Sequence, residues 1–276
     1  MLLTTSCSGP PEPVDLSSLG VRDAVLAFVA AQQDDRRSSY VTPSAAAATA
    51  LADAVIALGE GEEAQARRTV APHRYDVVHL ADGLRALVPS TLPDERGWGL
   101  YVVRPSGREL ALEVPHPRAD LDTEDLGGRL AETTGARYLL VAGAPRTAAG
   151  EADVAKAEDA VFSAVHRALA ARGVPVLQLH GYAPDSLPGV DLVVSPGSSQ
   201  TSPLARSLAD AGSDAGLEVC RAWEQPCGQL EGRRNVQGIA SRNAGAAFVH
   251  LEITRGLRTD GRREEVVRLV DAALST

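Results

Sequence analysis

Three apolar runs, far apart in the chain, each end in residues that zinc chemistry uses. They are Leu110-Ala-Leu-Glu-Val-Pro-His116-Pro-Arg-Ala-Asp120, Val174-Pro-Val-Leu-Gln-Leu-His180-Gly181, and Ala247-Phe-Val-His-Leu-Glu252-Ile-Thr-Arg255. In an open α/β sheet, polar residues at the carboxyl ends of strands gather at one site. Two imidazoles and a carboxylate, His116, Asp120 and His180, make a zinc triad with an open coordination position. Glu252 is then the candidate base.

His116 stands between Pro115 and Pro117, which keep it out of a helix or a ladder and fix its backbone. Asp120, four residues on, reaches the same ion if Pro-Arg-Ala makes a tight turn; Glu124 is a weaker alternative. His180 precedes Gly181, where a buried strand opens into a loop. Glu252 has apolar neighbours, and a carboxylate in a buried strand is costly unless it is paired or functional. The competing reading is an ion pair with Arg255 or Arg258. His250 alternates with Glu252 on one face of the same run and is the substitute ligand should His180 not serve. Otherwise His250, like His73, His79 and His166, reads as structural or exposed.

Two other motifs argue against themselves. Asp120-Leu-Asp122-Thr123 imitates a phosphatase signature, but five residues separate its first aspartate from the strand end at Val114. The lysine that signature needs would be Lys156, which falls inside an expected helix. No Gly-x-Ser-x-Gly elbow is present. Ser195-Pro-Gly-Ser-Ser reads as a turn or substrate loop, with a non-metal hydrolase built on Ser195 as a rival reading.

The elements that must position these residues alternate. A helix is expected over 21–33 and an alanine-rich helical stretch from Pro43 to about Val70, with short β runs following at 75–80, 84–88 and 98–103. Then come a strand at 110–114, a helix at 123–134, a strand at 138–143, a helix at 151–172 and strands at 174–179 and 191–194. A helix at 203–214, a strand at 217–221, a long loop, a strand at 247–253 and a helix at 261–274 complete the pattern. Strands and helices alternating in this way imply an α/β fold with a mostly parallel or mixed doubly wound sheet flanked by helices. Residues 1–18 read as a tether or remnant signal. Residues 19–276 read as one α/β hydrolytic domain with a helical N-terminal portion.

The three runs resemble the zinc amidohydrolases related to zinc carboxypeptidases, a group that includes N-formylglutamate amidohydrolases and phage-type poly-γ-glutamate hydrolases. Glu-Val-Pro-His116-Pro-Arg-Ala-Asp120 resembles the first ligand loop and Gln-Leu-His180-Gly the second ligand. Val-His-Leu-Glu252-Ile-Thr-Arg-Gly-Leu-Arg258 resembles the closing strand with its general base. The likeness covers roughly residues 70–276. It implies a zinc-carboxypeptidase-like fold, Zn2+ as cofactor and hydrolysis of an amide or peptide bond. One departure is plain: zinc carboxypeptidases use His-x-x-Glu, and here Ala119 stands three after His116, so Asp120 is taken as the carboxylate ligand.

An arginine fork suits a substrate carboxylate. Arg146, after the strand Leu-Leu-Val-Ala-Gly-Ala, is the first candidate for it and Arg258 the second. Asn235 and Gln237 in the long loop are candidates for amide contacts with substrate. The expected partner is a small-molecule or peptide-like substrate. A formal net charge of -9 argues against nucleic acid, whose phosphates need a basic patch.

With 44% hydrophobic residues the chain can bury a full core, and no apolar run reaches the ~18 residues of a membrane span. The start, Met-Leu-Leu-Thr-Thr-Ser-Cys7-Ser-Gly-Pro-Pro, resembles the tail of a bacterial lipoprotein signal, which makes Cys7 a candidate lipid anchor. It lacks the basic start of a full signal. Cys220 and Cys227 flank a short Pro-containing loop and suit a disulfide in an exported protein; two buried thiols in a cytoplasmic enzyme are the alternative. Three readings stay open: zinc hydrolase, envelope lipoprotein that binds without catalysis, and Ser195 hydrolase.

Overall fold

The structure is a computed structural model that describes residues 15–32, 39–148, 151–259 and 261–275. Cys7 lies outside them. Nine strands form one sheet: β1 (Tyr75–His79), β2 (Arg85–Pro89), β3 (Leu100–Val103), β4 (Arg108–Val114), β5 (Ala136–Val141), β6 (Val176–Tyr182), β7 (Leu192–Ser195), β8 (Val219–Arg221) and β9 (Phe248–Thr254). The sheet order is β1-β2-β3-β5-β4-β6-β9-β7-β8. The central strands β5, β4, β6 and β9 run parallel, whereas β1–β3 and the β9–β7 pair are antiparallel. The sheet is therefore the mixed form of the expected α/β architecture.

Helices cover both faces. On one side lie α1 (Val21–Gln32), α4 (Thr123–Thr134), α6 (Pro203–Asp214) and α9 (Arg263–Ser275). They close over Leu110, Leu112, Val114, Leu177, Leu179, Val249 and Leu251. On the other lie α2 (Ala45–Gly59), α3 (Glu63–Val70), α5 (Val161–Ala170) and α7 (Val236–Ala244), over Ala111, Leu140, Val176 and Phe248. A four-residue turn of helix, α8 (Arg255–Arg258), follows β9 directly. The core strands are buried on both faces, which is why they read as nearly continuous apolar runs. Against that background Glu113, Gln178, His180, His250 and Glu252 are anomalies, and all five face the α5/α7 side.

Three expectations shift. The alanine-rich stretch is two helices, broken at Glu60-Gly61-Glu62, where Gly61 takes φ +83°, a backbone that ends a helix at little steric cost only for glycine. The helix expected from 151 begins at Val161; turns at 151–160 bring Asp153 and Lys156 to the cleft, so Lys156 is exposed rather than helical. The long loop contains α7, started by the Asn235 side chain, which accepts from the Gln237 and Gly238 N–H groups, an N-cap.

Cys220 and Cys227 are joined, with Cα atoms 6.0 Å apart. Among the described residues no helix is long and apolar enough to cross a membrane.

Candidate metal centre

β6 and β9 run side by side with His180 opposite Glu252 and Gln178 opposite His250; Gln178 also pairs in register with Glu113 of β4. The two-residue alternation of a strand puts Gln178 and His180 on one face, and likewise His250 and Glu252. His116 arrives from β4 through Pro115, on a loop that holds three non-glycine residues at positive φ: Arg118 (61°), Leu121 (24°) and Asp122 (67°). Such a loop persists only when its surroundings over-determine it.

Arg258 does much of this. Its guanidinium donates to the carbonyls of Asp120 and Leu121 in the loop, of Tyr182 at 3.2 Å and of Ile253 at 3.0 Å, and the residue is 3% exposed. A Cβ at Gly181 would overlap that guanidinium; glycine makes room for the clamp. Arg258 thus braces the loop that carries His116 and Asp120 and also lines the cleft. Glu124 braces it too, its carboxylate accepting from the Arg118 N–H at 3.1 Å.

The loop carries His116 and Asp120 to His180. His116 Nδ1 and His180 Nδ1 each lie 3.2 Å from Asp120 Oδ2. Ligand atoms of the three residues are all within 4.8 Å of one another, and all three residues are buried. The far nitrogens are held from outside: His116 Nε2 by Asp153 Oδ1 at 2.9 Å and His180 Nε2 by Gln178 Oε1 at 2.7 Å. Metal-ligating histidines are held by their other nitrogen in this way. Asp120 Oδ1 has no hydrogen-bond partner, with the Arg146 guanidinium 3.4 Å away. The donor set is one zinc accepts.

Charge follows the geometry. Burial opposes ionisation of Asp120, but the facing imidazoles of His116 and His180 outweigh it and hold the carboxyl well below its usual range. Burial likewise opposes charge on His116, yet Asp120 and Asp153 together raise its pKa. Asp153 is driven far down despite burial, by His116 and Lys156. His180 goes the other way, to about 4, first through burial and then through His250.

Glu252 is 8% exposed. Its Oε1 lies 3.3 Å from His250 Nε2, and its Oε2 has no hydrogen-bond partner. The side chain beside it is the His250 imidazole rather than Arg255 or Arg258. His180, His250 and Glu252 form a second close trio, but His180 already faces Asp120, so His250 is the neighbour of the carboxylate and not a replacement for His180. Gly232 packs on the imidazole, where a Cβ would stand 2.7 Å from the ring.

Arg146 is exposed on the cleft wall. The Asn235 amide binds the α7 N-terminus and Gln178 at the cleft wall, and Gln237 donates to Val154 O and Ser163 away from it. Ser195 is 1% exposed, and its hydroxyl donates to Glu231 O at 2.6 Å, a structural bond that removes it as a nucleophile. Asp153, Gln178 and Glu113 are not among the sequence-based candidates, and His166 is structural. His166 is wholly buried, paired at 2.7 Å with an equally buried Glu113.

His116, Asp120, His180 and Glu252 open onto a cleft of about 1090 Å³ whose wall includes Arg146, Lys156, Arg233, Arg234 and Arg255. No family model matches the chain, and no curated protein matches it significantly. Among solved structures it is similar to a zinc-free form of YndL, at 15% identity and TM-score 0.45, over 64% of this chain and 89% of that one. It is also similar to a bacteriophage poly-γ-glutamate hydrolase (13%, TM-score 0.40, 63% and 84%) and to the gene product Atu2144 of Agrobacterium tumefaciens (16%, TM-score 0.40, 62% and 91%).

Proposed function

We propose that the chain is a zinc-dependent hydrolase of an amide or peptide bond, acting on a small-molecule or peptide-like substrate that bears a carboxylate. The observation that carries this reading is the buried convergence of His116, Asp120 and His180, with Glu252 beside it at the mouth of one cleft. Zinc held by the three residues would supply Lewis-acid polarisation of a carbonyl and acidification of water.

Glu252 is the base. Its unpartnered Oε2 accepts the water proton and returns it to the leaving amine, while His250 holds Oε1. Arg146 receives a substrate carboxylate, and the neighbouring cations make the cleft attractive to anions although the chain carries a net charge of -9. The disulfide supports an extracytoplasmic location; anchoring through Cys7 rests on the sequence alone.

The test is metal analysis followed by assay on a panel of N-acyl and γ-glutamyl amides. About one zinc per chain and chelator-sensitive turnover support the reading. Protein that binds no zinc overturns it. Zinc without turnover on any amide would instead favour a binding module.

A further inference from the structure

We propose that Asn235 and Gln178 are positioning residues that fix His180 as its Nε2–H tautomer and so bare Nδ1 toward Asp120. The inference deepens the zinc reading and rests on His180 being a ligand, but the tautomer itself belongs to the metal-free protein.

From the helix cap to His180 Nε2 the chain of bonds has one direction. Asn235 Oδ1 accepts from the N–H groups of Gln237 at 2.9 Å and Gly238 at 3.2 Å. Those are backbone donors at a helix start, so the oxygen cannot face elsewhere. Its Nδ2 therefore points away from the helix and meets Gln178 Oε1 at 2.6 Å. At the other end of that amide, Gln178 Nε2 lies 2.8 Å from Glu113 Oε2. Gln178 Nε2 also lies 3.4 Å from Gln237 Oε1, an oxygen that only accepts, so the Gln178 amide is oriented twice over, by a donor at its oxygen and an acceptor at its nitrogen. His180 Nε2, 2.7 Å from that same oxygen, has to donate.

A neutral imidazole has one proton. With it on Nε2, Nδ1 presents a lone pair to Asp120 Oδ2 at 3.2 Å. Two acceptors then face each other in a buried place, an arrangement that favours a cation between them. The rest of the network secures Glu113: His166 Nδ1 meets its Oε1 at 2.7 Å, and Ser241 Oγ meets His166 Nε2 at 3.1 Å. All these residues are buried, so water does not scramble the order. The helix cap of α7 is thereby coupled to the protonation pattern of a ligand on β6.

The experiment is a two-bond 15N–1H correlation spectrum of the imidazoles in metal-free protein, above about pH 7, where an ordinary imidazole is neutral. It is run on the wild type, Asn235→Asp and Gln178→Leu, with His180 assigned through His180→Gln. Zinc affinity is read in parallel by competition with a chromophoric chelator. Asn235→Asp keeps a capping oxygen for α7 but turns an acceptor toward Gln178, so it separates positioning from folding.

The expected result is an Nε2–H tautomer for wild-type His180. In Asn235→Asp this gives way to a mixture or to Nδ1–H, with a zinc affinity lower by roughly 10- to 100-fold and an almost unchanged Tm. Gln178→Leu should show the same spectral change. Wild-type His180 in the Nδ1–H form would overturn the proposal, and so would an Nε2–H spectrum and wild-type affinity retained in Asn235→Asp. If the wild type binds no zinc, the zinc reading fails by itself while the spectra still decide the relay.

Discussion

His180 and Glu252 are register partners on the adjacent parallel strands β6 and β9, so the candidate metal ligand and the candidate base are set side by side by main-chain pairing rather than by loops. This predicts a clean separation of roles. Glu252→Gln preserves shape and should preserve zinc, while turnover falls by at least roughly 10²–10⁴-fold, the range for loss of a general base. His116→Ala should lose zinc and turnover together. Activity per zinc-loaded molecule that survives Glu252→Gln would remove Glu252 from the chemistry.

In metal-free protein the imidazole of His180 predicts an acid-sensitive stability. Burial first, and His250 second, hold its pKa near 4, against about 6.5 in an unfolded chain. The unfolded state therefore binds the proton more readily. The stabilisation is complete above about pH 6.5 and lost as pH falls toward 4, and the gap corresponds to about 3 kcal/mol. His116 has the opposite sign: its raised pKa gives stability that is complete below about 6.5 and fades at higher pH. Melting curves in excess chelator should fall across pH 6.5 to 4, and His180→Gln should flatten that slope. An unchanged Tm across the window would count against a buried, neutral His180.

How much of the site was legible depends on whether the chemistry lay in local pattern or in packing. His116, His180 and Glu252 stood out because each interrupts or ends an apolar run, and strand topology brings such ends together. The same rule applied evenly would have found Glu113, a carboxylate inside Leu110-Ala-Leu-Glu-Val, and Gln178, two residues before His180 on the same face. Asp153 was hidden by a misplaced helix start: Ala-Asp-Val-Ala-Lys-Ala-Glu-Asp-Ala looks helical by composition, but its backbone is turned to deliver a carboxylate to His116. The bracing role of Arg258 is not legible because its guanidinium serves carbonyls from other segments, contacts that no local window contains.

Arg258 and Arg146 should therefore separate when each is replaced. Arg258→Met leaves the carbonyls of Asp120, Leu121, Tyr182 and Ile253 without their donor, and each buried acceptor left unpaired costs about 1–3 kcal/mol. A large drop in Tm and a weaker hold on zinc are expected together, because the loop at 116–122 loses its brace. Arg146→Ala removes an exposed cation and should leave Tm and zinc content nearly unchanged while raising KM for carboxylate-bearing substrates. A rise in KM alone from Arg258→Met, with full stability, would make it a substrate contact instead.

The disulfide gives the last prediction. Cys220 lies on β8 and Cys227 begins the segment that carries Gly232, Arg233 and Arg234 along the cleft and ends at the Asn235 cap. Two bonds fasten this segment beyond the bridge: the Cys227 N–H to Glu231 Oε1 at 2.8 Å and Ser195 Oγ to Glu231 O at 2.6 Å. Closing a loop this short lowers the entropy of the unfolded chain by an amount worth about 2 kcal/mol. Reduction, or Cys220→Ser with Cys227→Ser, should lower Tm accordingly. The Glu231 bonds and the Asn235 cap remain, so zinc content should stay at the wild-type level, and the cost should appear in KM as Arg233 and Arg234 lose their fixed places. Hydrogen exchange at 228–234 that rises on reduction, with exchange in β6 and β9 unchanged, would show the loss to be local. Loss of zinc on reduction would mean instead that the bridge holds the metal ligands themselves, and this account of the segment would fall.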